Sequence, residues 1–217
     1  LAWRRTPGRG PTVVWLGGFH SDMTGTKAQV LADWGAETGH DVLRFDYFGH
    51  GQSSGRFSDG TISRWREDVL AILDGLTEGP VVLVGSSMGG WLAVLAALAR
   101  PERVRGLVLV APAADFTEAL IRPALSPEAL EAIARDGVWR RPSDYADGAY
   151  EITRTLLEDG AQWCVLPGPV AALRQSYPKV GISLHQGSPD QVARMLIDEV
   201  AEIGIATESL SDYPDLV

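Results

Sequence analysis

The chain has 217 residues, 45% of them hydrophobic and 22% charged, with a formal net charge of -9. That length supports one substantial domain with a buried core, and the acidic balance excludes a phosphate backbone as a natural partner, so no nucleic acid is expected. No apolar run approaches the roughly 20 residues that cross a bilayer, LAWRRTPGRG at the start lacks the apolar core of a secretory signal, and the lone Cys164 permits no intrachain disulfide; a cytoplasmic protein without a membrane span is expected.

TVVWL at 12–16 is a short apolar run rich in β-branched residues that ends at Gly17 and Gly18, and a helical pattern follows over 26–38. DVLRFDY at 41–47 repeats the strand signal and leads through the Gly and Ser loop GHGQSSG to an amphipathic stretch over 62–76. VVLVG at 81–85 runs directly into SSMGGWLAVLAALA, and GLVLVAP at 106–112 supplies another continuous apolar strand. Strands apolar on both faces and separated by helices predict an α/β architecture, a mostly parallel sheet with helices on both faces.

After Pro112 the pattern becomes acidic and Pro-containing, which predicts helical pieces around 126–135 and 146–158 with no apolar strand between them. Such an insertion, 113–160, is expected to form a small helical lid over the mouth of the sheet. Strand character returns in VGISLH at 180–185, followed by a helical pattern over 189–202 and a last short strand at 203–207. The expected division is therefore a core over 1–170 and a strand-helix-strand tail over 171–217.

Gly85-Ser86-Ser87-Met88-Gly89 is a G-x-S-x-G placed where an apolar strand turns into a helix. Small flanking residues permit the strained turn that lifts a serine hydroxyl off the sheet, and the following helix aims its amides and positive end at the site. Ser87 is thus the candidate nucleophile, with the Met88 amide as one oxyanion donor. The competing reading, a dinucleotide-binding glycine turn, needs the first strand of a domain and a G-x-G spacing, and both are missing here. WLGGFHSDM at 15–23 ends a strand in paired glycines and offers a second amide, that of Phe19.

Of the four histidines only His185 follows Ser87, so by chain order it is the sole candidate base; a structural strand-end histidine is the competing reading. Asp190 in GSPDQV is the candidate acid, equally readable as a helix N-terminal charge, and Asp115 after GLVLVAP is a second. His50 in GHGQS reads as a turn residue, and Trp91 and Trp139 read as packing. No metal and no organic cofactor is implied.

WLGGFHSDMTGTKA, RFDYFGHGQSSG, DGTISRWREDVLAILD, GPVVLVGSSMGGWLAVLAALARPERV and DGVWRRPSDY together resemble the α/β-hydrolases of the acyl-protein thioesterase and acyl-glucuronide esterase group, over about the first 170 residues. The resemblance implies an α/β-hydrolase fold, a serine esterase or thioesterase taking an acyl ester or thioester, an acid after a late strand and a histidine after the final strand. The last 50 or so residues depart from it: LRQSYPKVGISLHQGSPDQVARMLIDEVAEIGIATESLSDYPDLV is similar to the effector domain of LysR-type regulators of cysteine biosynthesis, where a threonine matching Thr207 helps bind a small anion. The chain reads as a chimera of the two, and TESL at 207–210 holds no imidazole at the family's histidine position. A scaffold without catalysis, dead or ligand-sensing, is the alternative to an active esterase.

Overall fold

The structure is a computed structural model that describes residues 1–141 and 150–166. Its sheet is built from β1 (Trp3–Thr6), β2 (Arg9–Leu16), β3 (His40–Phe45), β4 (Val81–Ser86) and β5 (Val104–Val110), in the order β1-β3-β2-β4-β5. All neighbours run parallel except β1, which pairs antiparallel with β3. The helices α1 (Thr26–Thr38), α2 (Ile62–Leu76) and α3 (Met88–Ala99) connect the parallel strands.

Alternation along the strands divides their side chains between two faces. Val13, Trp15, Val42 and Val84 pack with Ala28 of α1 on one face. Val14, Leu16 and Leu83, one residue out of phase with them, have no exposed surface on the other. Each such burial stabilises the fold by about 1.5–3 kcal/mol, which is why runs like VVWL and VVLV hold the centre of the sheet. Helix boundaries follow local chemistry: the Thr61 hydroxyl accepts from the Arg64 amide to cap α2, and Gly39, at φ 72, ends α1 in the left-handed region.

Right-handed crossovers turn this strand order into a site. From β2 the chain crosses through α1 to β3 on one side, whereas from β4 it crosses through α3 to β5 on the other, so α1 and α3 cover opposite faces. The loops after β2 and β4 consequently diverge, and a crevice opens between them at the carboxyl edge of the sheet.

Two departures from the sequence reading stand out. β1 has no apolar pattern; it is held by its ladder to β3 and by Arg5, whose guanidinium donates to both carboxylate oxygens of Asp41 at 2.8 and 2.7 Å. In the insertion, α4 (Pro127–Asp136) lies where a helix is expected, capped by Ser126 and ended by Gly137 at φ 75. It is followed, however, by β6 (Val138–Arg141) and β7 (Tyr150–Thr153), an antiparallel pair, before α5 (Arg154–Gly160). Within the expected 146–158 helix, strand therefore stands at Tyr150–Thr153, while 146–149 lie outside the described residues. Tyr150-Glu151-Ile152-Thr153 is a β-favouring string whose Ile152 is buried, and cross-strand pairing outweighs the helical acidic pattern.

The chain divides into two compact units, Leu1–Trp163 and Cys164–Val217. The first contains every element named here. The expected strand-helix-strand tail over 171–217 lies outside the described residues. Among the described residues, no helix is long and apolar enough to cross a membrane.

Candidate active site

Ser87 stands alone between β4 and α3 with φ 53 and ψ -120, a conformation that costs a non-glycine residue of order 1–3 kcal/mol and persists only where the surroundings enforce it. The enforcement is visible. The Ser87 amide donates to Val110 O at 3.0 Å, while its carbonyl accepts from the amides of Gly90 and Ala113 at 2.9 and 3.0 Å. The turn also demands small neighbours, because a Cβ at Gly85 would collide with the Gly89 carbonyl and one at Gly89 with the Leu16 carbonyl. Ser87 itself is half-buried. Met88, the first residue of α3, has its amide at the positive end of a 12-residue helix.

The loop after β2 lies directly opposite. A Cβ built on Gly18 would stand 3.3 Å from Ser87 Cβ and 3.5 Å from Ser86 O, so this backbone lies close against the Ser87 turn. The Gly18 carbonyl accepts from the Ser21 amide at 3.1 Å. In a planar trans peptide the C=O and N–H point in opposite directions, so this bond turns the Phe19 N–H away from the Ser21 side of the turn. On the Ser21 side of the turn a cavity of about 200 Å³ is lined by Gly18, Ser21, Ser86 and the first turn of α1. The Phe19 ring is anchored among Phe57, Phe116 and Trp65 at centroid distances of 4.9, 5.4 and 5.9 Å.

A third segment, 44–50, grips that loop, and its role is absent from the sequence reading. Arg44 donates to Met23 O at 3.0 Å, Asp46 Oδ1 accepts from the Met23 amide at 2.6 Å, and the Tyr47 hydroxyl donates to Gly17 O at 3.3 Å. His50, taken from sequence as a turn residue, is 4% exposed and accepts from the His20 amide through Nε2 at 3.3 Å. Its Nδ1 lies 3.1 Å from the Phe48 carbonyl; a carbonyl only accepts, so Nδ1 carries the proton and the ring is neutral. Burial pushes this imidazole down to about 4, the Phe48 bond opposing only part of that shift. The D-x-x-x-H spacing of Asp46 and His50 was the available signal, but nothing local distinguishes it from ordinary turn chemistry.

The expected base His185, the expected acid Asp190, and Thr207 lie outside the described residues. Asp115, the other acid candidate, is 4% exposed with φ 58, and its carbonyl accepts from the Glu118 and Ala119 amides. Trp91 is fully buried and donates to Trp163 O at 3.2 Å, as a packing residue does. Among the described residues no group of His, Cys, Asp and Glu could hold a metal ion.

Residues 16–167 match the family model of the alpha/beta hydrolase fold, which covers well over half of the chain. The chain belongs to the α/β-hydrolase fold family. It is 41% identical over 171 residues to palmitoyl-protein thioesterase ABHD10, mitochondrial, of Bos taurus, covering 78% of this chain and 56% of that one. The chain thus spans little more than half the length of the curated relatives it matches. A crystal structure from Agrobacterium vitis S4, assigned as a hydrolase, superimposes with a TM-score of 0.73 at 41% identity, covering 76% of this chain and 67% of that chain. A further stretch of 52 residues is 50% identical to the HTH-type transcriptional regulator CysB of Burkholderia cenocepacia, covering 24% of this chain and 17% of that protein. Both resemblances expected from the sequence are therefore found.

Proposed function

We propose that this α/β-hydrolase is a serine esterase or thioesterase that works through an acyl-Ser87 intermediate. The observation that carries the reading is the strained Ser87 backbone set directly against the Gly18–Phe19 turn. In the reaction, Ser87 Oγ bonds to the substrate carbonyl carbon as a base takes its proton. The negative charge on the carbonyl oxygen is met by the Phe19 and Met88 amides and by the positive end of α3. Collapse expels an alcohol or thiol and leaves an ester on Ser87, which water then cleaves to a carboxylic acid and free serine. His185 and Asp190 are the proposed base and acid. The bovine relative's name and the rings of Phe57, Phe116 and Tyr150 around Phe19 favour an apolar acyl group.

A fluorophosphonate probe tests this reading. Labelling that maps to Ser87 and disappears in Ser87→Ala supports it, and an unlabelled native chain overturns it. One observation favours the second reading, a ligand-sensing scaffold without catalysis: the candidate base His185 falls in the stretch resembling the LysR-type regulators. The lone Cys164 supports a reducing compartment such as the cytoplasm, whereas the bovine relative bears a mitochondrial name; cell fractionation separates the two.

A further inference from the structure

We propose that His50 is a positioning residue for the oxyanion loop: its neutral ring is a strut that carries the rigidity of α2 to the His20 peptide and so holds the Phe19 amide toward Ser87. The inference rests on the hydrolase reading and adds a residue to it.

The strut can be followed bond by bond. At its base, α2 fixes residue Phe48 from two directions: Asp68 Oδ2 accepts from the Phe48 amide at 2.7 Å, and Trp65 Nε1 donates to the Phe48 carbonyl at 3.1 Å. The same carbonyl accepts from His50 Nδ1, which sets both the plane of the imidazole and its tautomer. With the proton on Nδ1, the Nε2 lone pair is left for the His20 amide. The ring is confined by Tyr47, Phe57 and Trp65 at centroid distances of 5.5, 5.1 and 5.2 Å. A single imidazole therefore joins two backbone groups 28 residues apart in sequence, the carbonyl of Phe48 and the amide of His20.

The position of the grip gives it a function beyond packing. Tyr47 holds Gly17 O and His50 holds the His20 amide, so the two bonds bracket Gly18 and Phe19, the peptide facing Ser87. His20 needs such a restraint because it adopts φ 64 without being glycine; its ring packs against Phe57 and Tyr150 at centroid distances of 4.1 and 4.8 Å, but among the described residues only the His50 bond holds its backbone amide. If the His50 bond is lost, the turn can relax by rotation at His20, and the Phe19 N–H swings with it. Oxyanion stabilisation depends on donor placement, and deletion of a donor elsewhere costs a hundredfold or more in rate. Misaligning one by loosening its loop should cost about tenfold to a hundredfold, without changing substrate affinity.

Two near-isosteric variants separate the strut from simple packing. Asn places its amide where Nδ1 sits and keeps the Phe48 bond but cannot reach His20; Gln places an acceptor near the Nε2 position. The second-order phosphonylation of Ser87 should slow about tenfold to a hundredfold in H50N and return to within about threefold of the native rate in H50Q. With a chromogenic ester the loss should appear in kcat and not in KM. Equal labelling rates for H50N and the native chain, at equal thermal stability, overturn the proposal. An unlabelled native chain would instead overturn the hydrolase reading. The strut is then decided by hydrogen exchange at the His20 amide: protection lost in H50N and kept in H50Q supports it, and equal protection in all three overturns it.

Discussion

Lowering the pH from 7 to 4 should destabilise the folded chain by about 3 kcal/mol through His50 alone. The ring is 4% exposed, walled by aromatic side chains, and committed at both nitrogens, so the native state accepts a proton only near a pKa of about 4, against 6.5 for an ordinary imidazole. That gap, at about 1.4 kcal/mol per pH unit, is the source of the 3 kcal/mol. The sign follows from proton counting: between pH 6.5 and 4 the unfolded chain binds a proton at this position and the native chain does not, so stability falls as pH falls across that window. Other groups titrate over part of the same range. Burial raises the Asp68 carboxyl, which acts in the opposite direction, so total stability is the wrong observable. The difference between native chain and H50Q isolates the imidazole. Urea unfolding at pH 7, 5.5 and 4 should show the native chain losing about 3 kcal/mol more than H50Q, with most of the divergence below pH 6. Parallel stability profiles for the two proteins would refute a buried neutral imidazole at this position.

Two further outcomes follow from the same bonds. Gly89→Ala forces a methyl group against the Leu16 carbonyl at the end of β2, which should cost about 2–3 kcal/mol in urea unfolding and abolish probe labelling, because the Ser87 turn cannot form with its backbone displaced. Asp41→Asn weakens a carboxylate that accepts from Arg5 and, at 2.6 Å, from the Thr12 hydroxyl, and should cost about 1–3 kcal/mol at pH 7. Arg5 holds the Asp41 carboxyl below its usual range, so this contribution is present above pH 3.8 and disappears at more acid pH; the unfolding midpoints of the native chain and of D41N should converge there.

The central strands, their helices and the G-x-S-x-G turn could all be read from the chain, because each is announced by neighbours in sequence. VVWL and VVLVG are apolar on both faces, and Gly85 and Gly89 flank a serine at a strand-to-helix junction. What the pattern could not announce depends on partners far along the chain. β1 exists because Arg5 meets Asp41 and the backbone of β3, and β7 because it meets β6. The clearest case is His50. In sequence it is one histidine in a glycine turn, and its local string is the same whether the ring faces water or a backbone amide. Only the parallel pairing of β2 with β3, which sets the loops after them side by side, brings Phe48 and His20 to its two nitrogens, and with that the tautomer, the depressed pKa and the hold on the loop opposite Ser87 are decided. Periodicity and turn chemistry are local properties and so are written in order along the chain. A hydrogen bond between residues 20 and 50 is a property of the packed fold and arises only once the elements have assembled.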